Sequence, residues 1–275
     1  MFDDNIRVES VPMRVYEFCR IASSGPVSMD EMASKMIPES LFDSTNYGTA
    51  KGYLKPVYGA AEELKLVQKD EAKKVHYIGQ KDTVSTLDSF RRYCNSVVWK
   101  NKNTRFYRLA KMFLESNLEW LKYSSFSSSP EIFAEIRSKT NDDDSSLVTH
   151  LLGERFWLSF LGFGYVLEKP GMTFLPNMYI ALKDFIVLSG VEKNREMPIR
   201  EFLEKIKSVS DVYLEKVDET HQFNYAFSSA LRELHDNREI VLKRNPDSKE
   251  NWNLYYQSSH EFPKEISHVI IKGVK

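Results

Sequence analysis

The sequence predicts a mainly α-helical protein with small β-hairpins. Apolar residues recur at helical spacing along much of the chain, and short β-branched runs bounded by turn residues follow helical segments near both ends. A chain of 275 residues is long enough for two or three compact domains.

The N-terminal segment carries two helix boundaries. The stretch "VPMRVYEFCRIASSGPVS" places Val15, Phe18 and Cys19 on one helical face and ends at a Ser-Ser-Gly-Pro break. Ser28, with Glu31 three residues later, forms a capping-box pattern. The pattern predicts two short helices joined by a turn.

A third helix and a hairpin are predicted next. Apolar residues at i, i+3, i+4 and i+7 cover Val57–Leu64, and the charged run "LVQKDEAKKVHYIG" is typical of a hairpin. Pro56 lies at the start of this helix and is expected to delay its regular part until about Val57.

The C-terminal segment repeats this order. A helix is predicted in "MPIREFLEKIKSV", and another over Phe227–Leu234 with the same apolar offsets. The run "EIVLKR" is expected to form a hairpin with "WNLYYQ" across the turn residues "NPDSKEN". Trp252 is expected to pack this hairpin onto its core.

Three helices followed by a hairpin are the elements of a winged helix-turn-helix module. The sequence therefore predicts such a module at residues 1–82 and at 196–275, flanking a central, mainly helical domain at 83–195. The alternative is that both segments are helix-hairpin pieces of one α+β domain.

The central region is expected to be mainly helical. An apolar stripe broad enough to be core rather than a cofactor site is formed by Phe106, Leu109, Ala110, Phe113, Leu114 and Leu118. The run "GFGYVLEKPGMTFLPN" predicts a short hairpin followed by a helix.

Composition narrows the class of protein. The net charge of −1 excludes a protein that coats nucleic acid through bulk charge, although a local basic stripe could still bind it. Cys19 and Cys94 belong to no metal-binding motif and are expected to be buried thiols in a reducing compartment. We expect a cytoplasmic protein, because the chain begins without a secretory signal pattern and lacks an apolar run long enough to span a bilayer.

A basic stripe runs from Arg91 to Lys111 without an intervening acid and with aromatic residues interleaved. Such a stripe could neutralise phosphates while its aromatic side chains pack or stack. The alternative is a solvated helix face whose counter-charges come from elsewhere in the fold.

Further cations lie on the predicted third helices and wings. A helix in the major groove with a wing on the backbone is a usual DNA-binding arrangement. Acidic residues reduce the net positive charge of the predicted helix and wing surfaces in both modules, so DNA and protein remain alternative ligands. The candidate DNA-binding residues are Lys51, Lys55, Lys73, Lys74, Arg91, Arg92, Lys100, Lys102, Arg105, Arg108, Lys111, Arg232, Lys243, Arg244 and Lys249.

Signals for catalysis are weak. Asp142, Asp143 and Asp144 are adjacent rather than convergent, so a solvated loop is favoured over a metal site. The histidines are scattered, and no phosphate-binding or nucleophile motif occurs. We expect no catalytic residues, metal or cofactor.

Three stretches carry a family resemblance: "VPMRVYEFCRIASSGPVSMDEMASKM", "FLGFGYVLEKPGMTFLPN" and "FSSALRELHDNREIVLKRNPDSKENWNLYY". They resemble the DpdG family, accessory proteins of bacterial gene clusters that insert 7-deazaguanine into DNA and defend against phage. The resemblance implies a non-catalytic subunit of a DNA-modification or restriction system, and it supplies no catalytic residues.

The leading functional hypothesis is thus an adaptor that docks on other subunits of such a complex, on duplex DNA, or on both. A sequence-specific transcription regulator, a winged-helix partner of an SMC-like ATPase and an enzyme with an unrecognised central site are the alternatives. No membrane partner is expected, and homo-oligomerisation is left open.

Overall fold

The computed structural model describes residues 2, 7–37, 51–119, 130–140, 147–167, 173–214, 216–258 and 263–274. In these ranges the chain is mainly α-helical with small antiparallel strand pairs, which confirms the predicted fold class at that level. No helix in the described ranges is both long and apolar enough to cross a membrane.

The N-terminal unit consists of helices α1 (Pro12–Ala22), α2 (Met29–Met36) and α3 (Leu54–Glu63) and strands β1 (Val67–Lys69) and β2 (Val75–Tyr77). The two strands form an antiparallel hairpin, and Val27, between α1 and α2, adds a bridge to Val75. The capping box at α2 is present as predicted, since the Ser28 and Glu31 side chains each accept the other residue's backbone N–H.

Helix α3 begins earlier than expected. It starts at Leu54 rather than near Val57, with Pro56 in its first turn. The first backbone N–H groups of a helix have no intrahelical acceptor, so the missing N–H of Pro56 removes no hydrogen bond there. The expected delay was wrong for this reason.

The central region contains α4 (Leu87–Val97), α5 (Arg105–Glu115), α6 (Pro130–Thr140) and α7 (Leu147–Phe160), followed by β3 (Gly164–Leu167) and β4 (Thr173–Pro176). The stripe residues on α5 are buried, as predicted for core, whereas Leu118 lies beyond the end of α5 and is only partly buried. Strands β3 and β4 form the expected short hairpin.

The C-terminal unit begins with α8 (Tyr179–Leu188). It continues through β5 (Glu196–Pro198), α9 (Ile199–Lys207), α10 (Val217–Thr220), α11 (Tyr225–Asp236), β6 (Ile240–Lys243), β7 (Trp252–Asn253), β8 (Glu265–Ile266) and β9 (His268–Ile271). Strands β5, β9 and β6 form one sheet with β9 in the centre, and β7 pairs with β8.

The predicted hairpin between "EIVLKR" and "WNLYYQ" is wrong. Strand β6 pairs instead with β9, with Ile240 opposite Ile271 and Leu242 opposite Val269. All four of these side chains are buried, so this pairing gives the sheet one continuous apolar face. Strand β6 ends at Lys243 and β9 begins at His268, so a long insertion in the sequence, and not a tight turn, separates the two paired strands.

Both ends share one order of main elements: helix, single strand, helix, third helix, and two strands that pair with each other. The C-terminal unit adds the short α10 before its third helix, α11, and the β7–β8 pair between β6 and β9. In the N-terminal unit the first strand position is Val27, and in the C-terminal unit it is β5; each pairs with the last strand of its unit. Helix α8 occupies the first helix position although it precedes residue 196, and it packs against α11. The domain division at 196 remains a prediction.

Cys19 and Cys94 are buried free thiols, as predicted. Burial raises the pKa of Cys19 to about 12 and raises that of Cys94 well above its ordinary value, so both stay protonated near neutral pH.

We expect a thiol-specific reagent to modify neither residue in the native protein and both after denaturation in urea. Rapid native labelling of either one would contradict the packing described here.

Candidate nucleic-acid interface

Helix α3 of the N-terminal unit buries one face and exposes the other. Leu54, Val57 and Ala61 are in the core, whereas Lys55 is exposed on the opposite side. A Cβ built on Gly59, one turn after Lys55, would have no heavy atom within 4 Å. The outer face of α3 therefore offers a close approach to its backbone beside a lysine.

The hairpin after α3 has a turn organised by Asp70. Its carboxylate accepts the backbone N–H of Lys74 at 2.8 Å and lies 2.7 Å from His76 Nε2. These bonds, that of His76 first, lower the pKa of Asp70. The turn places Lys73 in the left-handed region, with φ of 60°. The Lys69 ammonium lies 4.2 Å from the Tyr58 ring centroid, which links the hairpin to α3.

The cations predicted on this unit are in different situations. Lys51 Nζ pairs with Asp30 at 2.9 Å, linking the segment just before α3 to α2. Lys55, Lys73 and Lys74 are exposed. For Lys55 and Lys73, no carboxylate partner is present among the described residues.

The basic stripe of the central region does not form one surface. Arg91 Nε and Nη2 donate to the Asp184 carboxylate at 2.9 and 3.2 Å, and Arg92 Nε donates to it at 3.4 Å. Asn95 Nδ2 adds a bond to the same carboxylate at 2.9 Å. Because Asp184 belongs to α8, the first two arginines of the stripe join α4 to α8.

The second half of the stripe is divided as well. Lys102 forms an ion pair with Asp211. Arg105 is half-buried with its Nε enclosed. Lys100 and Arg108 are exposed, and Lys111 Nζ lies 3.9 Å from Glu115 on its own helix. Counter-charges from elsewhere in the fold thus meet Arg91, Arg92 and Lys102.

Near Arg105, α7 carries a fully buried carboxylate, Glu154. Burial raises the pKa of Glu154 well above its ordinary value, although the charge of Arg105 acts in the opposite direction. Neither carboxylate oxygen has a hydrogen-bond partner among the described residues. A protonated Glu154 suits this apolar setting better than an ionised one.

Helix α11 differs from α3 because its outer face is covered. The cover is formed by residues 252–258 and 263–266, here called the covering segment. The backbone N–H of Tyr255 donates to Ser228 Oγ at 2.8 Å, and Gln257 Nε2 donates to Ser229 Oγ at 2.7 Å. The C-terminal insertion therefore folds back onto α11 instead of projecting from the sheet.

The cations predicted on the C-terminal unit are mostly engaged. Arg232 is only 2% exposed, and its Nη2 donates to the Pro263 carbonyl at 3.3 Å, so its side chain is not on the surface of this conformation. Lys243 forms an ion pair with Glu196, and Arg244 Nε lies 3.0 Å from Glu265. Lys249 is exposed.

Sequence reasoning missed Asp184 as an organising residue and Lys207 as a surface cation near the stripe. A signal for Asp184 was present, because a carboxylate inside the apolar helix "MYIALKDFIVL" requires a buried partner. Lys207 gave no comparable signal, since its position depends on how α9 packs against the central region.

Asp142, Asp143 and Asp144 lie outside the described residues. Within the described ranges, no three His, Cys, Asp or Glu side chains are grouped closely enough to hold a metal ion.

No protein-family model, curated protein or solved structure matches this chain. The resemblance to the DpdG family accordingly stays a prediction from the sequence stretches quoted above.

Proposed function

We propose that this chain is a non-catalytic adaptor whose N-terminal unit is a winged helix-turn-helix module that binds duplex DNA. The observation that carries the proposal is the contrast between the two third helices. The outer face of α3 is open beside Lys55, whereas that of α11 is occupied by the covering segment.

The order of elements supports the winged-helix assignment. In this architecture the third helix enters the major groove and the hairpin lies along the sugar-phosphate backbone. Lys55 on α3 and Lys73 in the hairpin turn are then placed for phosphate contacts, which supply affinity without sequence information. Glu62 accepts a hydrogen bond from Tyr58, and Asp70 is hydrogen-bonded to His76, so each of these acids already has a neighbouring partner.

The C-terminal unit suits a protein partner better than DNA. Its predicted cations are buried or paired, except for Lys249, and its third helix has no open outer face. We infer that this unit holds the adaptor on another subunit. The setting of that complex, a bacterial defence or DNA-modification system, follows from the family resemblance alone.

The DNA proposal is tested by reversing charges on the N-terminal unit. We expect Lys55→Glu combined with Lys73→Glu to weaken binding to a random-sequence duplex by about tenfold or more at moderate salt. The slope of log K against log salt concentration should fall in magnitude by about 2, because two phosphate contacts are lost. Fluorescence anisotropy over a salt series measures both quantities.

The matched control is Lys193→Glu combined with Lys272→Glu, which makes the same charge change at exposed positions of the C-terminal unit that are not candidate DNA-binding residues. It should leave the slope unchanged. Equal losses in both double variants would show that net charge, rather than α3 and its hairpin, determines binding. Retention of one sequence against excess competitor DNA would favour a transcription regulator.

A further inference from the structure

The turn between β1 and β2, residues 70–74, is here called the hairpin turn. It contains two acids, Asp70 and Glu71, and two lysines, Lys73 and Lys74, and all four residues are exposed. The two signs balance, so the turn carries no net formal charge. Its ability to contact a phosphate therefore depends on which of these side chains are directed outward.

Asp70 determines the geometry of the hairpin turn through four hydrogen bonds. Its carboxylate accepts the Lys74 backbone N–H at 2.8 Å and lies 2.7 Å from His76 Nε2. Its backbone carbonyl accepts the N–H of Lys73 at 3.0 Å, and its backbone N–H donates to the Lys74 carbonyl at 3.0 Å. One residue thus fixes the backbone at both lysines, and its carboxylate is directed into the turn.

Lys73 has a backbone conformation that favours glycine. Its φ of 60° lies in the left-handed region, where a side chain carries a steric cost that glycine avoids. Glycine is the usual residue at the left-handed position of a hairpin loop. A lysine at this position lowers the stability of the turn, and it places an ammonium group on the exposed end of the hairpin.

We propose that Asp70 is a positioning residue for DNA: it holds the hairpin turn so that Lys73 and Lys74 reach the phosphates, and an acid thereby strengthens DNA binding. The inference rests on the DNA binding proposed above for α3 and its hairpin. Groups that are ordered before binding lose less entropy when a complex forms. Charge alone predicts the opposite sign, because a carboxylate close to a phosphate repels it.

Substitutions of Asp70 separate positioning from charge. We expect Asp70→Ala to weaken binding to a random-sequence duplex by about threefold or more, and to lower the magnitude of the salt slope by about 1, although it removes an acid. Asp70→Asn keeps an oxygen that can accept the Lys74 N–H, so its binding should equal or exceed that of the unaltered protein. Fluorescence anisotropy over a salt series measures both quantities, and thermal unfolding shows whether each variant is folded.

The matched control is Glu71→Ala, which removes the same charge from the same turn. No side-chain hydrogen bond or ion pair of Glu71 is present among the described residues, so DNA binding should be unchanged or tighter. Unchanged or tighter binding by Asp70→Ala would overturn the proposal. Equal weakening by Glu71→Ala, or weakening by Asp70→Asn as large as that by Asp70→Ala, would overturn it as well.

Lys73→Gly tests the lysine that Asp70 holds in place. It should raise the melting temperature, because glycine relieves the left-handed strain, and it should weaken DNA binding about threefold or more. Arg238→Gly is its control, since Arg238 is an exposed cation with a φ of 59° after α11. That variant should also raise the melting temperature but leave DNA binding unchanged. Unchanged DNA binding by Lys73→Gly would contradict the proposed phosphate contact.

Failure of the proposed function gives a different result. In that case Lys55→Glu combined with Lys73→Glu would leave DNA binding unchanged. If that double variant loses affinity while Asp70→Ala does not, only the positioning role of Asp70 fails.

Discussion

Replacing Trp252 by alanine is expected to lower the free energy of unfolding by about 3–5 kcal/mol. Trp252 is 1% exposed, and its ring stacks on Phe223 with centroids 5.5 Å apart. His221 packs on it at 4.4 Å, and the Arg200 guanidinium lies 5.6 Å from its centroid. The side chain thus joins the covering segment to the residues that lead into α11, and its removal leaves a cavity there.

Urea denaturation followed by circular dichroism measures this loss. Tyr256→Ala is the control, because Tyr256 is in the same segment but 72% exposed, and we expect a change within about 0.5 kcal/mol. Trp252→Phe should fall between the two. A loss for Trp252→Ala no larger than that for Tyr256→Ala would mean that the segment does not pack on its core as described.

Asp184→Ala is expected to have an effect of similar size, about 3–5 kcal/mol, for an electrostatic reason. Asp184 is 1% exposed and accepts hydrogen bonds from Arg91, Arg92 and Asn95. Without the carboxylate, two guanidinium groups remain close together, and Arg91, whose side chain is 17% exposed, keeps only the exposed Asp88 as a carboxylate partner among the described residues. The loss of stability comes mainly from leaving these guanidinium groups without the buried carboxylate, and less from the hydrogen bonds themselves.

Asp88→Ala is the control for Asp184→Ala. It shows how much stability is lost when Arg91 loses an exposed partner instead of the buried one. Asp88 also pairs with Arg91, but its side chain is 75% exposed, so its removal should cost less than about 1 kcal/mol. Chemical denaturation of both variants compares them directly. If both variants lost the same small amount of stability, the Asp184 ion pairs would contribute no more than an exposed ion pair. That result would contradict the burial of Asp184 described here.

The parts of the fold that could be predicted depend on contacts close in sequence. The Ser28 capping box and the apolar faces of α3, α5 and α11 are local patterns, and each is present. The partner of β6 could not be predicted in this way. The turn-like residues after Lys243 favoured a short hairpin. In the structure β6 pairs with β9 instead, and this pairing buries Val269 and Ile271.

The candidate site was predictable to a smaller extent. Charge spacing placed Lys55 and Lys73 on the correct elements, because both lie in segments whose secondary structure is local. The same spacing could not show that Asp184 neutralises Arg91, or that Pro263 covers Arg232. Those contacts join residues far apart in the chain. A stretch that contains no Asp or Glu does not show which distant acids pack against it in the fold.

Helix α8 has a practical consequence for dissecting the molecule. One side of it holds Asp184 against α4, while Phe185 packs near Tyr213, with centroids 6.1 Å apart. A recombinant piece starting at residue 196 would lack this shared helix, and a piece ending at 195 would carry it without α11. A cut before Met178 keeps α8 with α11. It also separates Arg91 and Arg92 from Asp184, so both arginines lose their shared carboxylate partner.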